Sequence, residues 1–380
     1  MLSSSSRWQV LLCATVLLLG YLTPAVQAQG IFGKDIKTSK VFKVLTDDMG
    51  VGGSCDARIK AAKDDSSKPN PDEAINQILK MSQAAIEALK SAKEDVKEKQ
   101  FKKEKYRQNR KRITYMANEV WGARVDVASL ALNTNFDSAG RLDDVRAQYQ
   151  KLVDYINEKP KDWTFACDDS WAESVTELKT AFDGFEKGTA IKDIPQFNER
   201  NLDRAWYDRT QKEDDMEYAY WSSSSWSEEG PCVRIGVSTQ LEAETISSLN
   251  MIYTCPRLWN LQFMEGADLK ADTTQYGPKG KEKIDLKNFP NLGYYQSPAT
   301  TIFHEMVHQV LEGQDGLPGQ RGLGYGWENV ARGKTEPQNA LENPDSFTYF
   351  AMAMYLSQYD WSTGKARKLD EMPGEKNAGE

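Results

Sequence analysis

Both histidines of this chain, His304 and His308, stand four residues apart, and Glu305 follows the first of them. On an α-helix a spacing of four puts two side chains on one face, one turn apart. The flanking residues predict that helix. Ser297 is a capping residue, Pro298 suits the first helical position, and Ile302, Phe303, Met306, Val307, Val310 and Leu311 supply a side to bury. The run is therefore expected to fold as a helix held against a core, with both imidazoles facing one way. Two neutral ring nitrogens so placed can meet one Zn2+ at about 2.0–2.1 Å. Glu305 sits beside the first and points toward the metal's open position, where it can take a proton from water that the metal acidifies. Two histidines scattered at random in this chain fall four apart about once in 200 arrangements, and Glu follows the first roughly once in 15. Two unrelated surface histidines are thus a poor account of the pattern. A third ligand has to be a carboxylate or another oxygen donor, because no third histidine exists.

Residues 1–28 read as a secretory signal. Arg7 supplies the positive charge, Val10 to Leu22 is a mostly apolar run, and Val26-Gln27-Ala28 places small residues at the cleavage site. No second stretch approaches about 18 apolar residues, so the mature protein is expected to be secreted, with no membrane partner. Cysteine usage agrees. Cys13 leaves with the signal, and Cys55, Cys167, Cys232 and Cys255 remain as an even set for an oxidising compartment. Those residues allow three pairings, and the sequence alone does not choose among them. The net charge of −8 argues against nucleic acid, which needs clustered cations. A hydrophobic fraction of 39% rules out wholesale disorder.

Along the chain, residues 29–54 show weak periodicity and read as an N-terminal or removable pro-segment. Asn70-Pro71 opens a helix carried by Ile75, Ile78, Leu79, Ile86 and Leu89. Lys97 to Arg112 holds nine Lys or Arg against two Glu and reads as a solvated helix face. An anionic partner, or basic processing at Lys111-Arg112, are the sharper readings. Leu142, Val145, Tyr149, Leu152 and Ile156 form an amphipathic stripe, and Trp171, Val175, Leu178, Phe182 and Phe185 repeat it, which predicts helix to about residue 215. Tyr218, Tyr220, Trp221 and Trp226 surround four serines, a loop packing its rings or an aromatic binding platform. Cys232–Val237 and Leu249–Cys255 suggest paired strands. Residues 265–295 read as loop. Asn343-Pro344 opens a last helix in the manner of Ser297-Pro298, and residues after about 362 look frayed.

At this point the C-terminal third resembles the deuterolysin-type metallopeptidases, the aspzincins. The likeness rests on His304-Glu305-Met306-Val307-His308, on Gly319-Gln320-Arg321-Gly322-Leu323-Gly324-Tyr325-Gly326, and on Asn343-Pro344-Asp345-Ser346-Phe347. It is strong from about 297 to 357 and thin from Cys55 onward, where Phe165-Ala166-Cys167 and Ile252-Tyr253-Thr254-Cys255-Pro256 look like the family's cysteine segments. The resemblance implies one zincin-like domain over 55–362, α+β and mainly helical. That domain would have a long helical N-terminal part, a small sheet beside the active-site helix, an insertion at about 170–230, and a polar tail at 363–380. It implies the disulfides Cys55–Cys167 and Cys232–Cys255. It also implies that Tyr325 hydrogen-bonds an oxyanion and that Asp345 lies near a substrate subsite. The second acid of the lysine-specific branch is replaced by Thr348, so strict lysine specificity is not expected.

One position departs from the family. Its third zinc ligand is an Asp three residues before Tyr-Gly, and here that residue is Gly322. The loop after His308 is also longer by three residues. Asp315 lies in it between Gly313 and Gly316 and is the first choice for the ligand, with Glu328 and Glu312 as alternatives. The expected function is a secreted endopeptidase holding one Zn2+ per chain, with protein or peptide substrates and Glu305 as general base. The alternative is a degenerate relative that binds zinc or a partner without catalysis. A third reading, carbohydrate binding by Trp221 and Trp226, leaves Glu305 unexplained.

Overall fold

In a computed structural model the chain is described at residues 36–65, 68–94, 102–126, 129–132, 137–198, 203–210, 220–221, 226–227, 230–234, 241–260, 291–315 and 322–372. The backbone divides into Met1–Ile36 and Lys37–Glu380. Of the first unit only Ile36 is described, so the expected signal segment lies outside the described residues.

The second unit is α+β with helix predominating. Its main helices are α1 (Asp56–Asp64), α2 (Pro71–Lys93), α3 (Glu104–Trp121), α4 (Ser138–Glu158), α5 (Pro298–Leu311) and α6 (Pro344–Tyr355). Local chemistry starts them. Asn70 accepts from the Glu73 amide ahead of Pro71, Asp137 accepts from the Gly140 amide, and Ser297 forms a reciprocal capping box with Thr300. The stripe Leu142, Val145, Tyr149, Leu152 and Ile156 on α4 is wholly buried, as its spacing predicts. Helix α5 packs against α2, α4 and α6. Tyr149 of α4 wedges between α5 and α6: its ring lies 6.4 Å from Phe303 and 5.3 Å from Phe347, and its hydroxyl donates to the Phe347 carbonyl. These contacts set the helix of the histidines against the helix of Asp345.

A four-stranded sheet has the order β1-β2-β9-β8. Its members are β1 (Lys43–Val44), β2 (Thr164–Ala166), β8 (Ala243–Ile246) and β9 (Met251–Thr254). Strands β1, β2 and β9 run parallel, and β8 pairs antiparallel with β9 at the outer edge. All four residues of β9 are buried, as in a strand covered on both faces. Strand β8 packs on α5. The sheet beside the histidine helix is therefore present. Both disulfides, Cys55–Cys167 and Cys232–Cys255, are formed.

Several expectations are corrected. Residues 38–54 are not a loose pro-segment: β1 belongs to the main sheet, and Val41, Phe42 and Leu45 are fully buried. The body thus begins near Lys37 rather than at 55. The segment from Trp171 to Phe185 is not helical. It forms β3 (Ala172–Val175), paired with β4 (Ala205–Asp208), and then a turn in which Asp183 and Gly184 take left-handed φ of 46° and 81°. Such residues stop a right-handed helix. Strand β4 also pairs with β5 (Tyr220–Trp221). Over this small sheet Val175, Leu178, Phe182, Ile191, Ile194, Phe197, Ala205 and Tyr220 form a core of their own.

The two strands expected to pair do not. Among the described residues β7 (Gly230–Arg234) pairs with β6 (Trp226–Ser227), and the Cys232–Cys255 bridge links it to the end of β9. The basic stretch is not purely a solvated face either, because Arg110 and Arg112 are buried. The tail is described to Met372, and in it β11 (Arg367–Lys368) pairs with β10 (Tyr359–Asp360). The expected loop 265–295 lies mostly outside the described residues, as do residues 97–101 and Tyr218.

Candidate metal centre

Helix α5 turns His304, Glu305 and His308 to one side, with His304 and Glu305 each 7% exposed. Just past the helix the chain reverses through Glu312, whose φ of 56° ends α5. The return brings Asp315 back over the histidines. His304 Nε2 lies 3.1 Å from His308 Nε2, and Asp315 Oδ1 lies 3.1 and 3.2 Å from the two nitrogens. The first-choice ligand is thus the one the fold brings to the pair. Glu312 and Glu328 are exposed and stand outside the cluster, and Gly322 offers no side chain.

The far sides of both rings are occupied. His308 Nδ1 faces the Gly313 carbonyl at 2.8 Å, and His304 Nδ1 faces Asp345 Oδ1 at 2.7 Å. A carbonyl and a carboxylate only accept, so each Nδ1 carries its hydrogen and each neutral ring presents an Nε2 lone pair. Asp315 Oδ1 is buried and receives no hydrogen bond. Three lone-pair atoms therefore converge on one point, which calls for a cation among them or for extra protons on the rings. One ion can touch all three at about 2.0–2.2 Å, so the residues present fit a metal. Among the described residues, His304, His308 and Asp315 form the group that could hold one.

The electrostatics of the metal-free site follow. Burial opposes charge on both imidazoles. Asp315 and Glu305 outweigh it at both rings, and Asp345 adds to them at His304, so both are held above the ordinary histidine value. Burial also opposes charge on Asp315, and the two rings outweigh it, holding that carboxyl well below its ordinary value.

Around the cluster, Tyr325 donates from its hydroxyl to Asp315 Oδ2 at 2.6 Å, and its ring stacks on His304 at 5.4 Å. Although the residue is 59% exposed, partial desolvation of its hydroxyl and the Asp315 carboxylate beside it raise its phenol above the ordinary value. The Thr245 hydroxyl of β8 lies 2.8 Å from Glu305 Oε2. Asp345 is 6% exposed, and its oxygens accept from His304 Nδ1 and the Gly326 amide. It supports the His304 ring. Thr245 was not legible in the sequence, since a strand threonine far from the motif carries no local signal.

Comparison with protein families, with curated proteins and with solved structures finds no match to this chain.

Proposed function

We propose that the chain is a zinc-dependent endopeptidase of the deuterolysin type, zincin-like in arrangement, secreted and acting on extracellular proteins or peptides. The observation that carries this reading is the convergence of His304 Nε2, His308 Nε2 and Asp315 Oδ1 beside Glu305. Two imidazoles and one carboxylate make the donor set of catalytic zinc sites that keep a position for water or substrate. When bound, zinc supplies Lewis-acid chemistry, polarising a carbonyl and acidifying water.

The protein groups then divide the work. Glu305 takes a proton from the attacking water and passes it to the leaving amine. The Thr245 hydroxyl holds Oε2 of that carboxylate and leaves Oε1 for the water. Tyr325, whose one hydroxyl hydrogen goes to Asp315 Oδ2, becomes the donor for the developing oxyanion on releasing that carboxylate. Strand β8 lies at the edge of the sheet beside Glu305, which supports an extended peptide pairing along it. The two disulfides fit an oxidising compartment.

The test is a mixed peptide library digested by zinc-loaded protein and by Glu305→Gln, which keeps both imidazoles. Cleavage by the parent and none by the variant is expected. A second reading, a zinc-holding protein without catalysis, is favoured by Tyr325, whose hydroxyl is engaged by Asp315. No cleavage by a folded, zinc-loaded parent would select it.

A further inference from the structure

Four consecutive residues, 342–345, touch every arm of the metal centre. The Glu342 carbonyl accepts from the Gln314 amide at 2.7 Å, next to Asp315. Asn343 Oδ1 accepts from the Leu323 and Gly324 amides, each at 3.1 Å. Asp345 takes the His304 ring on one oxygen and the Gly326 amide on the other. Pro344 lies so close to Gly313 that a Cβ there would sit 3.1 Å from its ring carbon and 3.1 Å from the Glu342 oxygen. Gly313 is in turn the residue whose carbonyl holds His308.

Asn343 stands at the N-cap of α6 but makes no capping bond to that helix. Its Nδ2 donates to Ser346 Oγ at 3.0 Å, which fixes the acceptor end of the amide toward residues 323–324. The side chain is buried, and its hydrogen bonds serve the segment that carries Tyr325.

We propose that Asn343 is a positioning residue of the metal centre. By holding Leu323 and Gly324 it sets the Tyr325 hydroxyl on Asp315 Oδ2, and so aims the ligand oxygen Oδ1. Segment 342–345 then acts as a clip that makes ligand placement and Tyr325 placement one event. This rests on the metal-centre reading, and on the peptidase reading only for turnover.

The test uses full-length mature protein and Asn343→Ala. Zn2+ affinity is measured by chelator competition, Co2+ loading by its visible absorption, and unfolding separately. Affinity is expected to fall about tenfold, the lower end for groups that orient a ligand, with an altered cobalt spectrum. Tyr325→Phe should weaken zinc binding in the parent but add less than about twofold in the Asn343→Ala background, because the two act as one unit. Additive losses would overturn the proposal, as would parent-like affinity and spectrum in Asn343→Ala, whatever its melting temperature. If that variant does not fold, Ser346→Ala releases only the Nδ2 end. It should lose less affinity, again without additivity to Tyr325→Phe; no loss, or an additive one, overturns the role. Should no variant or parent cleave peptides, the peptidase reading fails while the affinity and cobalt results still decide this one.

Discussion

Asp315 has one oxygen in the ligand triangle and the other on Tyr325. Asp315→Asn should therefore lower zinc affinity more than about 100-fold, beyond the usual cost of an outer partner, while Glu312→Gln and Glu328→Gln leave it unchanged in the same chelator titration. The protonation behaviour of the site has a sign that can be checked. The rings titrate above the ordinary histidine value when metal is absent, so protons compete with zinc at a higher pH than the reference of about 6.5. Zinc affinity should rise steeply from about pH 6 to 8, and a flat profile would exclude imidazole ligation. Metal-free stability runs the other way. A raised histidine contributes stability that is present below about pH 6.5 and lost as pH rises through its folded value; a lowered Asp315 contributes stability present above about pH 3.9 and lost in acid. The metal-free protein should be most stable between those limits, and the rise in Tm on adding zinc should grow above them.

Helix ends account for two residues of the basic run, Arg110 and Arg112. Arg110 of α3 donates from its three nitrogens to the carbonyls of Leu130, Ser91 and Ala92, the last two in the final turn of α2. Arg112 reaches the Ala353 carbonyl in the final turn of α6, and burial, opposed by Asp360, brings its guanidinium down to about 10. Carbonyls at a helix C-terminus lack partners within the helix, and buried cations satisfy them. Arg110→Ala should cost about 3 kcal/mol of unfolding free energy, since it strands buried acceptors; a loss under about 0.5 kcal/mol in urea denaturation, the level of an ordinary surface substitution, would reject this account. The same contacts place Arg112 in the core, where a processing enzyme at Lys111-Arg112 would have to unwind α3. Helix α6 shows how an element can serve a neighbour. Its N-cap Asn343 and its second residue Asp345 turn their side chains to residues 323–326 and to His304.

Across the whole molecule, the N-terminal stretch closes the sheet. Val41, Phe42 and Leu45 are fully buried, and the Cys55 amide donates to the Leu45 carbonyl. Burial of such side chains is worth about 1.5–3 kcal/mol each, together comparable to the 5–15 kcal/mol that holds an ordinary domain. A chain beginning at residue 55 should fail to give a cooperative thermal transition, whereas one beginning at residue 37 should melt as the full chain does. The two disulfides tie the same region: Cys55–Cys167 joins the start of α1 to the end of β2, and Cys232–Cys255 joins β7 to the end of β9. No helix among the described residues is long and apolar enough to cross a membrane.

Local rules sufficed where the information is local. The cap Ser297-Pro298, the four-residue spacing of His304 and His308, and the stripe from Leu142 to Ile156 each specify a helix and its buried face through neighbours within two turns. Periodicity failed at Trp171 to Phe185, because side chains converging on a small core from strands and turns mimic helical spacing. It also could not distinguish a cap from a tie at Asn343, since the same carbonyl oxygen serves either. Asp315 could be named from the sequence only as one carboxylate among three. The left-handed turn at Glu312 and the closeness of Gly313 to Pro344 selected it, and those depend on how α5 and α6 pack around Tyr149. Which side chains meet across long stretches of chain is set by the burial of Phe303, Phe347 and their partners, and that is a property of the assembled core.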